Sequence, residues 1–171
     1  MVTLYFRKPF IIFSSRKVKV TNENDRLLYY CGKYYDSRKE LLKLERVENV
    51  RLFDKQHHML ADAKQIERAR DKWKIVYGEN QDQVATMKNT STMNTHMRLT
   101  IHYNGNEAVL KNGQGRKTFV LEAQGEVLAE MKIKGLALTQ HEVTYDPAVL
   151  DMPEELLVAA FYTFSLKHVR P

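Results

Sequence analysis

The stretch Met152-Pro-Glu-Glu-Leu-Leu-Val-Ala-Ala-Phe-Tyr-Thr-Phe-Ser-Leu-Lys-His-Val169 decides the fold. From Leu156 to Leu166 it is apolar on nearly every side of a helix. A helix apolar all round has to be wrapped by protein or lipid. Its apolar length falls short of the ~20 residues that cross a bilayer, so a protein wrapping is expected. The residues before it read as short antiparallel strands. The expectation is a mostly β chain (α+β): a closed antiparallel β-barrel around a buried hydrophobic C-terminal helix, with residues 152–169 as the central plug.

The helix start has its own signals. Asp151 is the expected N-cap, and Glu154 three residues later has capping-box spacing. Pro153 suits the first turn, where its missing N–H costs little. Glu154 and Glu155 suit the positive end of the helix dipole, and Lys167 and His168 the negative end.

Working back from the helix, a hairpin recurs. Lys17-Val-Lys-Val-Thr passes through Asn22–Asp25 to Arg26-Leu-Leu-Tyr-Tyr, and Val50–Phe53 passes through a polar turn to Met59–Ala61. Trp73–Tyr77 leads to Gln83–Met87, Leu99–Tyr103 to Ala108–Lys111, and Thr118–Glu122 to Val127–Lys134. Asn104-Gly105 is a strong hairpin signal, because both residues accept positive φ. Trp73, Ile75 and Tyr77 alternate with Lys72, Lys74 and Val76, which places one face on a core and one in water. The turns are irregularly spaced, which argues for a meander and against a solenoid. Two stretches resist this reading. Asp62–Lys72 is rich in helix formers and reads as a short helix. Thr86–His96 reads as a mobile loop or a polar edge strand.

At 171 residues the chain is expected to form one domain over 1–171 and can bury a full core unaided. Cys31 is the only cysteine, so no internal disulfide forms and a reducing cytoplasm is the expected location, with peripheral membrane attachment as the variant. The N-terminus lacks the ordered regions of a signal peptide, and no transmembrane segment is expected. The net charge of +6 is uneven: residues 1–75 hold 18 bases against 10 acids, and residues 76–171 hold 9 against 11. A basic half favours anionic partners, lipid headgroups or nucleic acid, or simply keeps the protein soluble.

The run of hairpins, then Tyr145-Asp-Pro-Ala-Val-Leu-Asp151, then Leu-Leu-Val-Ala-Ala-Phe161, resembles the tubby C-terminal-like superfamily. This superfamily includes tubby, the phospholipid scramblases, the plant LURP-one-related proteins and small bacterial single-domain relatives, the last two being nearest in length. The resemblance spans about Phe10 to Val169. It implies a barrel of about twelve strands threaded by the last helix. In tubby, basic residues on the barrel exterior bind a phosphoinositide headgroup. The scramblases' proline-rich N-terminal region and cysteine cluster have no counterpart here, so lipid scrambling is not expected. Tubby's basic pair does not align residue by residue and is not carried over.

No catalytic or metal constellation is expected. The six histidines lack ligand spacing with Cys or carboxylates, and Cys31 lacks a positioned base. No nucleophile elbow, Walker loop or dinucleotide fingerprint is present, so neither a cofactor nor an enzymatic activity is expected. Lys111-Asn-Gly-Gln-Gly-Arg-Lys117 is a basic glycine turn that can cradle an anion through backbone N–H groups. The candidate anion-binding residues are Lys17 and Lys19 on one strand face, Lys132 and Lys134 on another, Arg38 and Lys39 in a turn, and Arg116 and Lys117 in the glycine turn. The leading function is a non-enzymatic binding module for anionic phospholipid headgroups. The alternative is an intracellular scaffold or protein-interaction domain that binds no lipid. Nucleic acid is disfavoured, because neither a recognition helix nor an aromatic sheet motif appears.

Overall fold

The computed structural model describes residues 1–9, 14–37, 47–67, 71–91, 97–115, 117–135 and 139–168. Twelve strands run in chain order: β1 (Val2–Arg7), β2 (Val18–Asn22), β3 (Leu27–Tyr34), β4 (Asn49–Phe53), β5 (Met59–Glu67), β6 (Lys72–Tyr77), β7 (Gln83–Asn89), β8 (Leu99–Tyr103), β9 (Asn106–Asn112), β10 (Thr118–Ala123), β11 (Glu126–Lys134) and β12 (Gln140–Tyr145). Helix α1 (Glu154–His168) follows. Each strand pairs antiparallel with its sequence neighbour, and β1 pairs with β12, so the sheet closes.

Closure rests on β1, a strand that the sequence reading did not mark. Val2 to Arg7 run opposite Tyr145 to Gln140 on one side, and Leu4 to Phe6 run opposite Asn22 to Val20 on the other. With both its neighbours paired, no strand presents an open edge. The hairpin turns follow their chemistry. Asn104 (φ 47°) and Gly105 (φ 78°) both take the left-handed conformation, as do Gln124 (φ 52°) and Gly125 (φ 87°), which matches the twist of two-residue hairpins.

Helix α1 has no solvent face between Leu156 and Ser165, where exposure never exceeds 3%. It shares one apolar cluster with inward side chains from all twelve strands, among them Leu4, Leu52, Trp73, Leu99, Leu121 and Val143. Each large side chain in this cluster contributes about 1.5–3 kcal/mol of transfer free energy. The helix packs most closely on β4, β5 and β6. The inward Ala61 and Ala63 of β5 are fully buried and small enough to let it approach. No described helix is long and apolar enough to cross a membrane.

Three readings are corrected. Asp62–Lys72 is no helix where it is described: residues 62–67 lie in β5 and Lys72 opens β6, with Ala63 and Gln65 as packing residues on the sheet, and residues 68–70 lie outside the described residues. Thr86–His96 is no edge: β7 continues to Asn89 with β6 on one side and β8 on the other, and residues 92–96 lie outside the described residues. Asp151 is not the N-cap. The first helical bond runs from Leu157 N–H to Pro153 O (3.0 Å), two residues beyond it. Asp151 instead accepts from Tyr103 Oη (2.6 Å) and Asn106 Nδ2 (3.3 Å).

Candidate functional site

The outer wall over β11, β12, β1 and β2 carries an open groove of about 390 Å³ lined by Tyr5, Arg7, Lys19, Thr21, Lys134, Gln140 and Glu142, with Phe6 and His141 at its floor. Register explains the lining. Lys134, Gln140 and Arg7 stand in one row across three strands, and Lys132, Glu142, Tyr5 and Thr21 in the next across four. Arg7 and Lys19 sit one residue beyond the paired Phe6 and Val20, so they flank each other across β1 and β2. Period-two alternation turns all of these side chains outward while Phe6, Val20, Ile133 and His141 turn in.

The charges in the groove are of two kinds. Lys134 is paired with Glu142, and outside the groove its strand neighbour Lys132 is paired with Glu130 (2.6 Å). Hydrogen bonding and attraction from Glu130 raise the Lys132 ammonium above its ordinary range. Arg7 and Lys19 are exposed and have no carboxylate partner among the described residues. An anion entering the groove therefore meets two uncommitted cations and a third that can be exchanged from Glu142.

Beneath the groove, His141 is 2% exposed and stacks on Phe6, with ring centroids 4.7 Å apart and planes 4° from parallel. Its Nδ1 lies 2.9 Å from Thr139 O, and its Nε2 has no hydrogen-bond partner among the described residues. Burial holds this imidazole down to about 4, against the pull of the Thr139 carbonyl. It is therefore a neutral core side chain within β12.

The remaining candidates scatter. Lys17 and Lys19 do share the outer face, but the Lys17 ammonium sits 3.6 Å over the Phe53 ring and away from the groove. Lys117 (φ 63°) caps the β9–β10 hairpin, where its carbonyl accepts from Ile133 N–H at 2.9 Å. That turn is a hairpin leading into a strand and not a phosphate loop. Arg38, Lys39 and Arg116 lie outside the described residues. The groove thus gathers Lys19 and Lys134 of the eight and adds Arg7, which was missed because β1 was missed. The signal was present: Val2, Leu4 and Phe6 alternate with Thr3, Tyr5 and Arg7.

Among the described residues, no three His, Cys, Asp or Glu side chains come together as metal ligands. Cys31 is fully buried, and desolvation pushes its thiol well above the ordinary range, which makes it a core side chain with little thiolate character.

The fold has a solved relative. An X-ray structure of a protein from Arabidopsis thaliana superposes with a TM-score of 0.60, covering 96% of this chain and 88% of that one at 14% identity, which speaks for the fold alone. No curated protein matches the sequence. The family model for the Tubby C-terminal like domain matches residues 4–167, nearly the whole barrel and its helix, and the chain belongs to that family.

Proposed function

We propose that the protein is a non-enzymatic binding module, working as one unit over residues 1–171, whose groove takes an anionic phospholipid headgroup at the cytoplasmic surface of a membrane. The observation that carries this reading is the pair of uncommitted cations, Arg7 and Lys19, converging on an open groove beside the exchangeable Lys134. Tyr5, 38% exposed in the next row of the groove, offers an apolar ring with a polar tip suited to the headgroup layer. Membership in the Tubby C-terminal like family supports the same reading.

Each basic side chain near an anionic surface contributes about 1 kcal/mol. The double variant Arg7→Gln/Lys19→Gln is therefore expected to bind phosphatidylserine-rich vesicles about thirtyfold more weakly than the native chain. Co-sedimentation at ~0.05 and ~0.3 M salt reads this, because screening over about 10 Å weakens the native interaction at the higher salt. Phosphatidylcholine vesicles are the control. A native chain that stays in the supernatant with anionic vesicles at low salt, or a double variant that sediments as the native chain does, ends the proposal.

A further inference from the structure

The wall formed by β5, β6 and β7 carries a second basic surface, on the far side of the barrel from the groove. Strand β6 lies six strands from β12 in either direction round the closed sheet. On this wall Lys64 stands directly opposite Lys74, and Lys72 stands between Glu67 of β5 and Lys88 of β7. Opposed residues have Cβ atoms about 4.5–5.5 Å apart, where like charges destabilise a sheet. Lys64 reaches to Asp36. Lys74 and Lys88 are exposed and have no carboxylate partner among the described residues.

Apolar side chains share the wall. Val84 is 48% exposed and stands opposite Val76, and Ile66 is 48% exposed as the extra residue of a bulge in β5. Lysine and aliphatic residues thus share the outward face of β6 (Lys72, Lys74, Val76) and of β7 (Val84, Thr86, Lys88). Asp62, the acid on this face opposite Val76, is taken up by Arg51 and Tyr34, so Lys74 and Lys88 are the cations left turned to solvent beside the exposed valines.

We infer that the β5–β7 wall is a docking surface for an acidic, aliphatic-rich protein segment, in which carboxylates meet Lys74 and Lys88 while apolar side chains cover Val76, Val84 and Ile66. The chemistry of the wall selects this occupant. Its described outward residues include neither an aromatic ring for base stacking nor an arginine for bidentate phosphate contact, as a nucleic-acid surface would use. The barrel is closed, so the segment cannot add a strand to an edge and has to bind through side chains. The inference does not depend on the lipid reading, since the two surfaces share no residue and face opposite ways.

The test is fluorescence anisotropy on the full chain with a labelled peptide of alternating glutamate and leucine. Its lysine–leucine counterpart and a labelled single-stranded oligonucleotide are the comparisons. The expected result is saturable binding of the acidic peptide alone, weakened about tenfold or more by Lys74→Glu/Lys88→Glu, weakened less by Val84→Ser, and unchanged in Arg7→Gln/Lys19→Gln. Unfolding curves of the lysine variant are expected to match or exceed the native ones, since it relieves like-charge opposition. Absence of saturable binding overturns the inference, as does an unchanged affinity in the lysine variant. Tighter binding of the oligonucleotide overturns it in favour of nucleic acid. Loss of peptide binding in the groove variant overturns it by moving the site to the opposite wall.

Discussion

The two ends of helix α1 are held by opposite chemistries. At its start, Glu154 accepts from the hydroxyls of Tyr29 and Tyr145, and Asp151 accepts from Tyr103 and Asn106. Neutral donors meet carboxylates at a mouth of the barrel that water still reaches. At its end, Lys167 Nζ lies 2.9 Å from Glu48 Oε2 and 2.7 Å from Asp71 Oδ1, and Glu48 is 3% exposed. Glu48 O also accepts from Trp73 Nε1 at 2.9 Å, which ties the ion pair to the largest side chain in the core. The start is secured by bonds that can be exchanged for water. The end is secured by charges that cannot, and the difference predicts where the fold is brittle.

The strongest break is Lys167→Met. It takes the nearest cation from buried Glu48 and leaves only the attraction of Lys33, a change that costs up to about 3–5 kcal/mol. Urea unfolding of the variant at neutral pH is expected to show a loss of that size, with most of it recovered in Glu48→Gln/Lys167→Met. The pH dependence has a definite sign. Burial pushes the Glu48 carboxyl above its ordinary range, and Lys167 only partly offsets this. Without Lys167 the raised carboxyl takes up its proton more readily still, so the deficit of the variant shrinks as pH falls toward 4 and is largest near 7. A deficit that does not change with pH removes the buried charge as its cause.

What could be read from residues alone divides along a similar line. The helix, the hairpins and Asn104-Gly105 carry local signals, and each stands where its sequence puts it. Features that need a distant partner did not show. Strand β1 looks like an isolated tail until β12 arrives across nearly the whole chain to pair with it. Ala63, in the stretch Asp62–Lys72, reads as a helix former, when its role is to be small beneath α1. Glu154 sits at capping-box spacing, yet tyrosines from β3 and β12 outcompete the backbone for its carboxylate. The basic groove and the lysine wall are products of register. Lys74 and Lys88 are ordinary surface residues in sequence, and only the β5–β6 and β6–β7 pairings reveal the opposed lysines beside them.

His141 sharpens the comparison, because it also lies toward the end of the helix. Its stacking partner Phe6 packs on Tyr162 with centroids 5.5 Å apart, and Lys8 nearby donates from Nζ to Ser165 O at 3.1 Å. Its folded value of about 4 lies below the ordinary 6.5, so the unfolded chain binds more protons between those two values. The stability this residue contributes is complete above about 6.5 and is lost as pH falls to about 4, by up to about 3 kcal/mol. His141→Phe keeps the stack and removes the titration. Its stability relative to the native chain is expected to rise by about that amount from pH 7 to pH 4, measured by urea unfolding at each pH. An unchanged difference across that window places the acid sensitivity elsewhere.

The smallest effect belongs to the start of the helix. Burial raises the Tyr103 hydroxyl well above its ordinary range, helped by its bond to the Asp151 carboxylate, so it is a neutral donor at any working pH. Tyr103→Phe deletes that donor, but Asp151 is exposed and keeps Asn106, and water replaces what is lost. The net cost of such a bond is about 1 kcal/mol. The expected shift in the urea midpoint is correspondingly small. If Tyr103→Phe costs as much as Lys167→Met, the barrel mouth at the helix start is as dry as the one at its end. The two chemistries then no longer explain a difference in brittleness, because none exists.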